Sequence, residues 1–290
     1  MSTTAKSLTF LALTFAISWG VVAAGVALHA NTSPQGAFWA LLGMMFGPSI
    51  AATICAFAFE RGRVREALGL KWTPNWWWLL AWLGAFVLGA LTIAFTVFLG
   101  HSGVTDPAQN LIAQVAQSYP QAVDKLRAIP YLGLLLAAQV IVLGSLINIP
   151  ALVFTEELGW RGYLHYLWRP SGFWRTSLTT GAIWGVWHAP AIYFYGLNYP
   201  EHRLIGIPIF IGFCTLLAPV MTYIRDRGRS VIAPAILHAM INASAGYATL
   251  ILTNAAFPWA GVVGIGGFLA LTVGLAAVAL GRPNQPLAQT

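Results

Sequence analysis

Apolar residues run along this chain in long blocks, broken by short polar stretches and by turns rich in glycine and proline. A helix needs about 20 mostly apolar residues to cross the hydrocarbon core of a membrane. The blocks predict eight such helices, at about 8–30, 36–59, 76–100, 131–158, 176–198, 204–224, 230–252 and 258–281. The first follows Lys6 as a secretory signal would, but it outruns the roughly 7 to 15 apolar residues of a signal and no small-x-small cleavage site follows, so it reads as a span. Pro48, Pro150, Pro190, Pro208, Pro219 and Pro234 fall inside these blocks and predict kinks or interruptions, because proline removes a backbone donor. No internal repeat is visible, and the polar tail at 282–290 reads as disordered. The pattern predicts an all-α fold, a polytopic transmembrane helical bundle forming a single domain over 1–281.

Composition strengthens that reading. Hydrophobic residues make up 58% of the chain and charged residues 8%, against roughly a quarter charged in soluble domains, and the mean hydropathy is +0.72. No stretch is left over for a soluble domain. Cys55 and Cys214 sit inside apolar blocks as small core hydrophobes, and they suggest neither a disulfide framework nor a CxxC metal site. A pI near 9.7 raises the question of nucleic acid, but the basic residues are scattered through short loops with no continuous basic face, which argues against it.

Topology explains the charge better. With eight spans both termini share one side. Placing Lys6 in the cytoplasm also places there Arg61, Arg63, Arg65, Lys71, Arg161, Arg169, Arg175, Arg225, Arg227, Arg229 and Arg282, twelve in all, and leaves three, Lys125, Arg127 and Arg203, outside. That asymmetry follows the positive-inside rule. The expectation is a multi-pass protein of the cell membrane with cytoplasmic termini, membrane lipid around it, and an outward loop at 101–130.

The acidic residues then sort into two groups. Glu60, Glu66, Asp106, Asp124, Glu201 and Asp226 lie at span ends or in loops and read as solvated charges. Glu156 and Glu157, in "TEELGWRGY", adjoin a membrane helix at its expected cytoplasmic end with no evident exit to water, where an unpaired carboxylate costs a few kcal/mol. Glu157 and Arg161, four residues apart, share a helix face and form a pair. Glu156 points about 100° away from them and draws its partners from other helices. His188 and His238, each roughly 12 to 20 Å below the cytoplasmic surface at about 1.5 Å per residue, are the candidates, and Asn242 shares a face with His238. A carboxylate and imidazoles of this kind suit hydrolysis, with one pair activating water and another donating to an oxyanion. They equally form a zinc ligand set, although no HExxH motif is present. Structural roles compete: a lone intramembrane histidine or asparagine commonly bonds helices together. His29, His101, His165 and His202 receive no role. Ser145 and Asn148 read as helix-contact residues, and the tryptophans as interfacial anchors.

Taken in order, "EELGWR", "WGVWH" and "HAMIN" resemble the signatures EExxxR, FxxxH and HxxxN of the CAAX protease and bacteriocin-processing (CPBP) family of intramembrane endopeptidases, which includes the type II CAAX prenyl endopeptidase. The resemblance covers about 131–250, the expected catalytic core. It departs at Trp184, where the family usually has phenylalanine, which predicts a bulkier pocket wall. The resemblance implies a peptide-bond hydrolase acting on a membrane-associated peptide or lipidated protein. In it Glu156 and His188 activate water, His238 and Asn242 stabilise the oxyanion, and Glu157 with Arg161 braces the site. The family has been described both as metalloproteases and as metal-free glutamate proteases. The reading adopted is no cofactor, with a zinc-dependent version as the alternative. From other classes, a transporter using the same groups as a proton relay and a bacteriocin-immunity scaffold are the rivals.

Overall fold

The computed structural model describes residues 1–259 and 261–281, so the tail expected at 282–290 lies outside the described residues. Helix α1 (Thr3–Ala27) is capped by the Ser2 hydroxyl, which accepts from the Ala5 amide. Ser33 caps α2 (Pro34–Met45) in the same way, with Pro34 in the first turn, where its missing N–H costs nothing. Helix α3 (Gly47–Phe59) follows directly, then a short α4 (Val64–Ala67), α5 (Trp76–Gly100), α6 (Pro107–Ser118, capped by Asp106), α7 (Val123–Arg127) and α8 (Leu132–Leu143). The helical run continues through α9 (Ile149–Leu152) and α10 (His165–Trp168), with α9 preceded by a π-helical turn at Gly144–Asn148. Between α9 and α10 lies a π-helix at Val153–Leu164. Helices α11 (Phe173–Trp187), α12 (Ala189–Tyr195), α13 (Arg203–Gly228), α14 (Ile232–Ile251) and α15 (Ile265–Gly281) complete the chain.

The protein is all-α, polytopic and integral to the membrane. Among the described residues five stretches are long and apolar enough to cross it: Thr3–Ala27, Pro34–Phe59, Trp76–Gly100, Leu132–Ser171 and Arg203–Gly228. The other three expected spans fall on α11 with α12, on α14 and on α15, which are interrupted or shorter. The prolines act unevenly. Pro48 and Pro190 mark breaks, Pro234 sits in the first turn of α14, and α13 runs through both Pro208 and Pro219. At Pro48 the cause is visible: proline cannot donate to the Met44 carbonyl four residues back, and the Ser18 hydroxyl of α1 donates to it instead, at 2.9 Å.

The chain falls into two compact units, whose boundaries lie inside helices. The first comprises residues 1–79, 150–235 and the segment from 275 on. Here α1 packs on α2 and α3, α3 on the π-helix, and α11 on α13. Two acidic side chains expected to be solvated are paired within the protein in this unit, Glu60 buried and Asp226 half-buried. Glu60 is bonded by Lys6 at 2.6 Å and by the Tyr166 hydroxyl at 3.3 Å. Asp226 pairs with the buried His165, Nε2 to Oδ1, at 3.0 Å. Both acids sit near helix ends, and residues of other helices supply their counter-groups.

The second unit comprises 80–149 and 236–274. Trp82 Nε1 donates to Ser145 Oγ at 3.1 Å, and Ser145 contacts the Met240 sulfur on α14 at 3.7 Å, as expected of a helix-contact residue. Asn110 of α6 donates to the Leu250 carbonyl at 3.0 Å, which joins the 101–130 loop to the end of α14. Beside it Gly103–Val104 and Leu252–Thr253 form a two-stranded antiparallel pairing.

Candidate active site

The segment "TEELGWRGY" does not end a span. It lies within a helical run from Leu132 to Ser171, wound as a π-helix in which every residue but Phe154 is buried. Such winding is rare beyond a single turn and frequently marks functional sites. The run continues through the acidic residues because their partners come from protein, so the chain has no need to reach water there. A glycine permits the close packing that makes this possible. A Cβ on Gly159 would lie 2.6 Å from the Pro48 side chain and 2.8 Å from its backbone carbonyl, so only glycine lets the π-helix seat against α3.

The two adjacent carboxylates diverge. Glu157 Oε1 accepts from Arg161 Nη1 at 3.1 Å, with both side chains at most 1% exposed. Glu156 Oε2 instead accepts from the indole Nε1 of Trp184, on α11, at 2.7 Å. The Trp184 ring also lies under the Arg161 guanidinium, 4.4 Å from its carbon to the ring centroid. Arg161 Nε and Nη2 are buried and have no hydrogen-bond partner among the described residues. The desolvated cation is therefore held by one carboxylate and one aromatic face, the latter interaction being worth about 2 kcal/mol away from water. The Arg161 carbonyl in turn accepts from Arg225 Nε of α13 at 2.9 Å.

His188 sits at the break between α11 and α12. Pro190 ends the regular hydrogen bonding, and the His188 amide donates to the Gly185 carbonyl, three residues back. The Trp184 carbonyl, which a continuing helix would pair with that amide, meets His188 Nδ1 at 2.8 Å. A carbonyl only accepts, so Nδ1 carries the proton, and in the neutral ring Nε2 carries the lone pair. Trp187 and Phe210 stand edge-on to the imidazole, with centroids at 4.6 and 4.7 Å, and give it apolar walls. The position of α11 depends on "GAIWG", a small-xxx-small pair. Cβ atoms on Gly181 and Gly185 would lie 2.6 Å from the Cys214 carbonyl oxygen and 2.5 Å from the Ile211 Cα of α13.

Glu156, Glu157, Arg161 and His188 thus belong to the first unit, tied together through Trp184. His238 and Asn242 belong to the second, one turn apart on α14; His238 is buried and Asn242 exposed. Sequence reasoning places Trp184 in the pocket wall but misses its N–H donor. The available signal was its position, four residues before His188 on the same helix face. Among the described residues no three His, Cys, Asp or Glu side chains form a set able to hold a metal.

Residues 137–244 match the family model described as type II CAAX prenyl endopeptidase Rce1-like. The matched segment contains all six residues of the three motifs. A search of curated proteins found no match.

Proposed function

We propose, from the match of residues 137–244 to the Rce1-like type II CAAX prenyl endopeptidase model, that this chain hydrolyses a peptide bond in a membrane-associated substrate and that Glu156 is the base. One observation carries the reading: Glu156 and His188 are both oriented by Trp184, the first by its indole N–H at 2.7 Å and the second by its carbonyl at 2.8 Å. In this reading Glu156 takes a proton from water as the water oxygen attacks the scissile carbonyl carbon. His188 accepts a hydrogen bond from that water through its Nε2 lone pair and holds it, and the protonated Glu156 returns its proton to the leaving amine as the C–N bond breaks. Glu157 neutralises the buried Arg161 and braces the site. By the family's third motif the oxyanion donors are His238 and Asn242, and the substrates are prenylated or otherwise lipid-anchored chains.

The test is turnover of a farnesylated peptide ending in a CAAX sequence by the purified protein. Glu156→Gln keeps the shape and the bond from Trp184 but removes the base. It is expected to lower turnover by at least about a thousandfold while thermal unfolding stays close to parental. Parental turnover in this variant would reject Glu156 as the base.

A further inference from the structure

The position four residues before the α11 histidine is phenylalanine in the pattern this chain resembles, and a phenylalanine ring has no hydrogen-bond donor. Here Trp184 is 2% exposed and makes two directed contacts, an N–H bond to Glu156 Oε2 at 2.7 Å and a ring face under Arg161 at 4.4 Å. The second matters because two of the guanidinium's buried N–H groups have no hydrogen-bond partner among the described residues. We propose that Trp184 is a positioning residue that fixes the Glu156 carboxylate and Arg161 relative to each other, the indole N–H selecting the carboxylate rotamer and the ring holding the cation. The proposal rests on the reading of Glu156 as the base.

The bond from Trp184 restricts the freedom of the Glu156 carboxylate. A glutamate side chain has three rotatable bonds and loses up to about 2 kcal/mol of rotamer entropy when fixed. A charge-assisted N–H bond at this length is about twice as strong as a neutral one. One oxygen is thereby tied to an indole that is itself wedged between helices, so the carboxylate reaches a water in a single orientation. Because the same ring lies under Arg161, movement of α11 would displace the base and its brace together. Loss of the N–H alone affects how often the base is correctly placed, and so acts on kcat, with little effect on substrate binding.

The two contacts can be separated by substitution. Trp184→Phe keeps a ring for Arg161 and removes the N–H. With the farnesylated peptide as probe, kcat is expected to fall about ten- to hundredfold, the range for a lost bond to a charged group, with KM within about twofold and thermal unfolding near parental. Trp184→Leu removes both contacts and is expected to lower thermal stability as well. A residue serving only as packing would give the opposite pattern, with unfolding temperature and not kcat tracking the substitution to phenylalanine.

Ultraviolet resonance Raman spectroscopy gives a readout independent of activity. The parent-minus-Trp184→Phe difference spectrum should contain the signature of a strongly hydrogen-bonded indole N–H. The same difference taken on a Glu156→Ala background should lack it. If Trp184→Phe turns over at the parental rate while Glu156→Gln is inactive, the positioning role is rejected and the catalytic reading stands. A Raman signature that persists without Glu156 likewise rejects it. If Glu156→Gln is as active as the parent, both fall together.

Discussion

Glu157 and Arg161 form an ion pair at 3.1 Å with neither side chain more than 1% exposed. Breaking such a pair by removing one charge leaves the other buried and uncompensated, which costs about 3 to 5 kcal/mol. Glu157→Gln is therefore expected to lower the unfolding temperature in detergent clearly below that of Glu156→Gln, as measured on the two variants side by side. Equal unfolding temperatures would remove the bracing role. The divergence of the two glutamates could be read in the sequence, because a partner four residues away needs no knowledge of the fold. What Glu156 bonds could not be read, since Trp184 lies 28 residues on and its place in the pocket wall does not say where its N–H points. Glu60 and Asp226 were misjudged for the same reason. Their partners Lys6 and His165 lie far away in sequence, and a charge near a helix end looks solvated until another helix supplies its counter-group.

Two departures from regular α-helix place the chemistry at the scale of elements. The π-helix at Val153–Leu164 carries the acidic motif, and the proline-induced break after α11 sets which nitrogen of His188 holds the proton. The long apolar stretches were legible because hydropathy alone determines them. The π-winding was not, because it leaves no periodicity in side-chain character. The cost of the break at Pro190 is local, while the packing of α11 on α13 is what locates Trp184 and His188. Gly185→Ala would place a methyl 2.5 Å from the Ile211 Cα, and backbone cannot yield as a side-chain tip can. Overpacking of this kind costs about 1 to 3 kcal/mol. The expected outcome is a lower unfolding temperature together with at least tenfold slower cleavage, although residue 185 has no side-chain chemistry. Cleavage at the parental rate would mean that the spacing of α11 and α13 does not position the site.

At the scale of the whole molecule, hydropathy identifies an integral membrane protein, and the motif order within 137–244 agrees with the family match. Sidedness rests on the twelve-to-three distribution of basic residues. Of these Arg161 is buried with Glu157 and belongs to the site, which leaves the asymmetry large. A single cysteine introduced in the 101–130 loop is expected to react with a membrane-impermeant maleimide added to intact cells, and one in the 60–75 loop only after permeabilisation. The reverse pattern would invert the topology and place the acidic motif's loop side outside the cytoplasm.

Peptide cleavage by a water that Glu156 activates leaves the oxygen of that water in the product. The most direct measurement is mass spectrometry of a farnesylated CAAX peptide incubated with the purified protein in water enriched in oxygen-18, before and after prolonged chelation. The expected product is a shortened peptide carrying a single heavy oxygen in its new carboxyl group, formed equally after chelation and absent with Glu156→Gln. An intact peptide with the parental protein, the same product with Glu156→Gln, or activity lost on chelation and restored by zinc would contradict this mechanism.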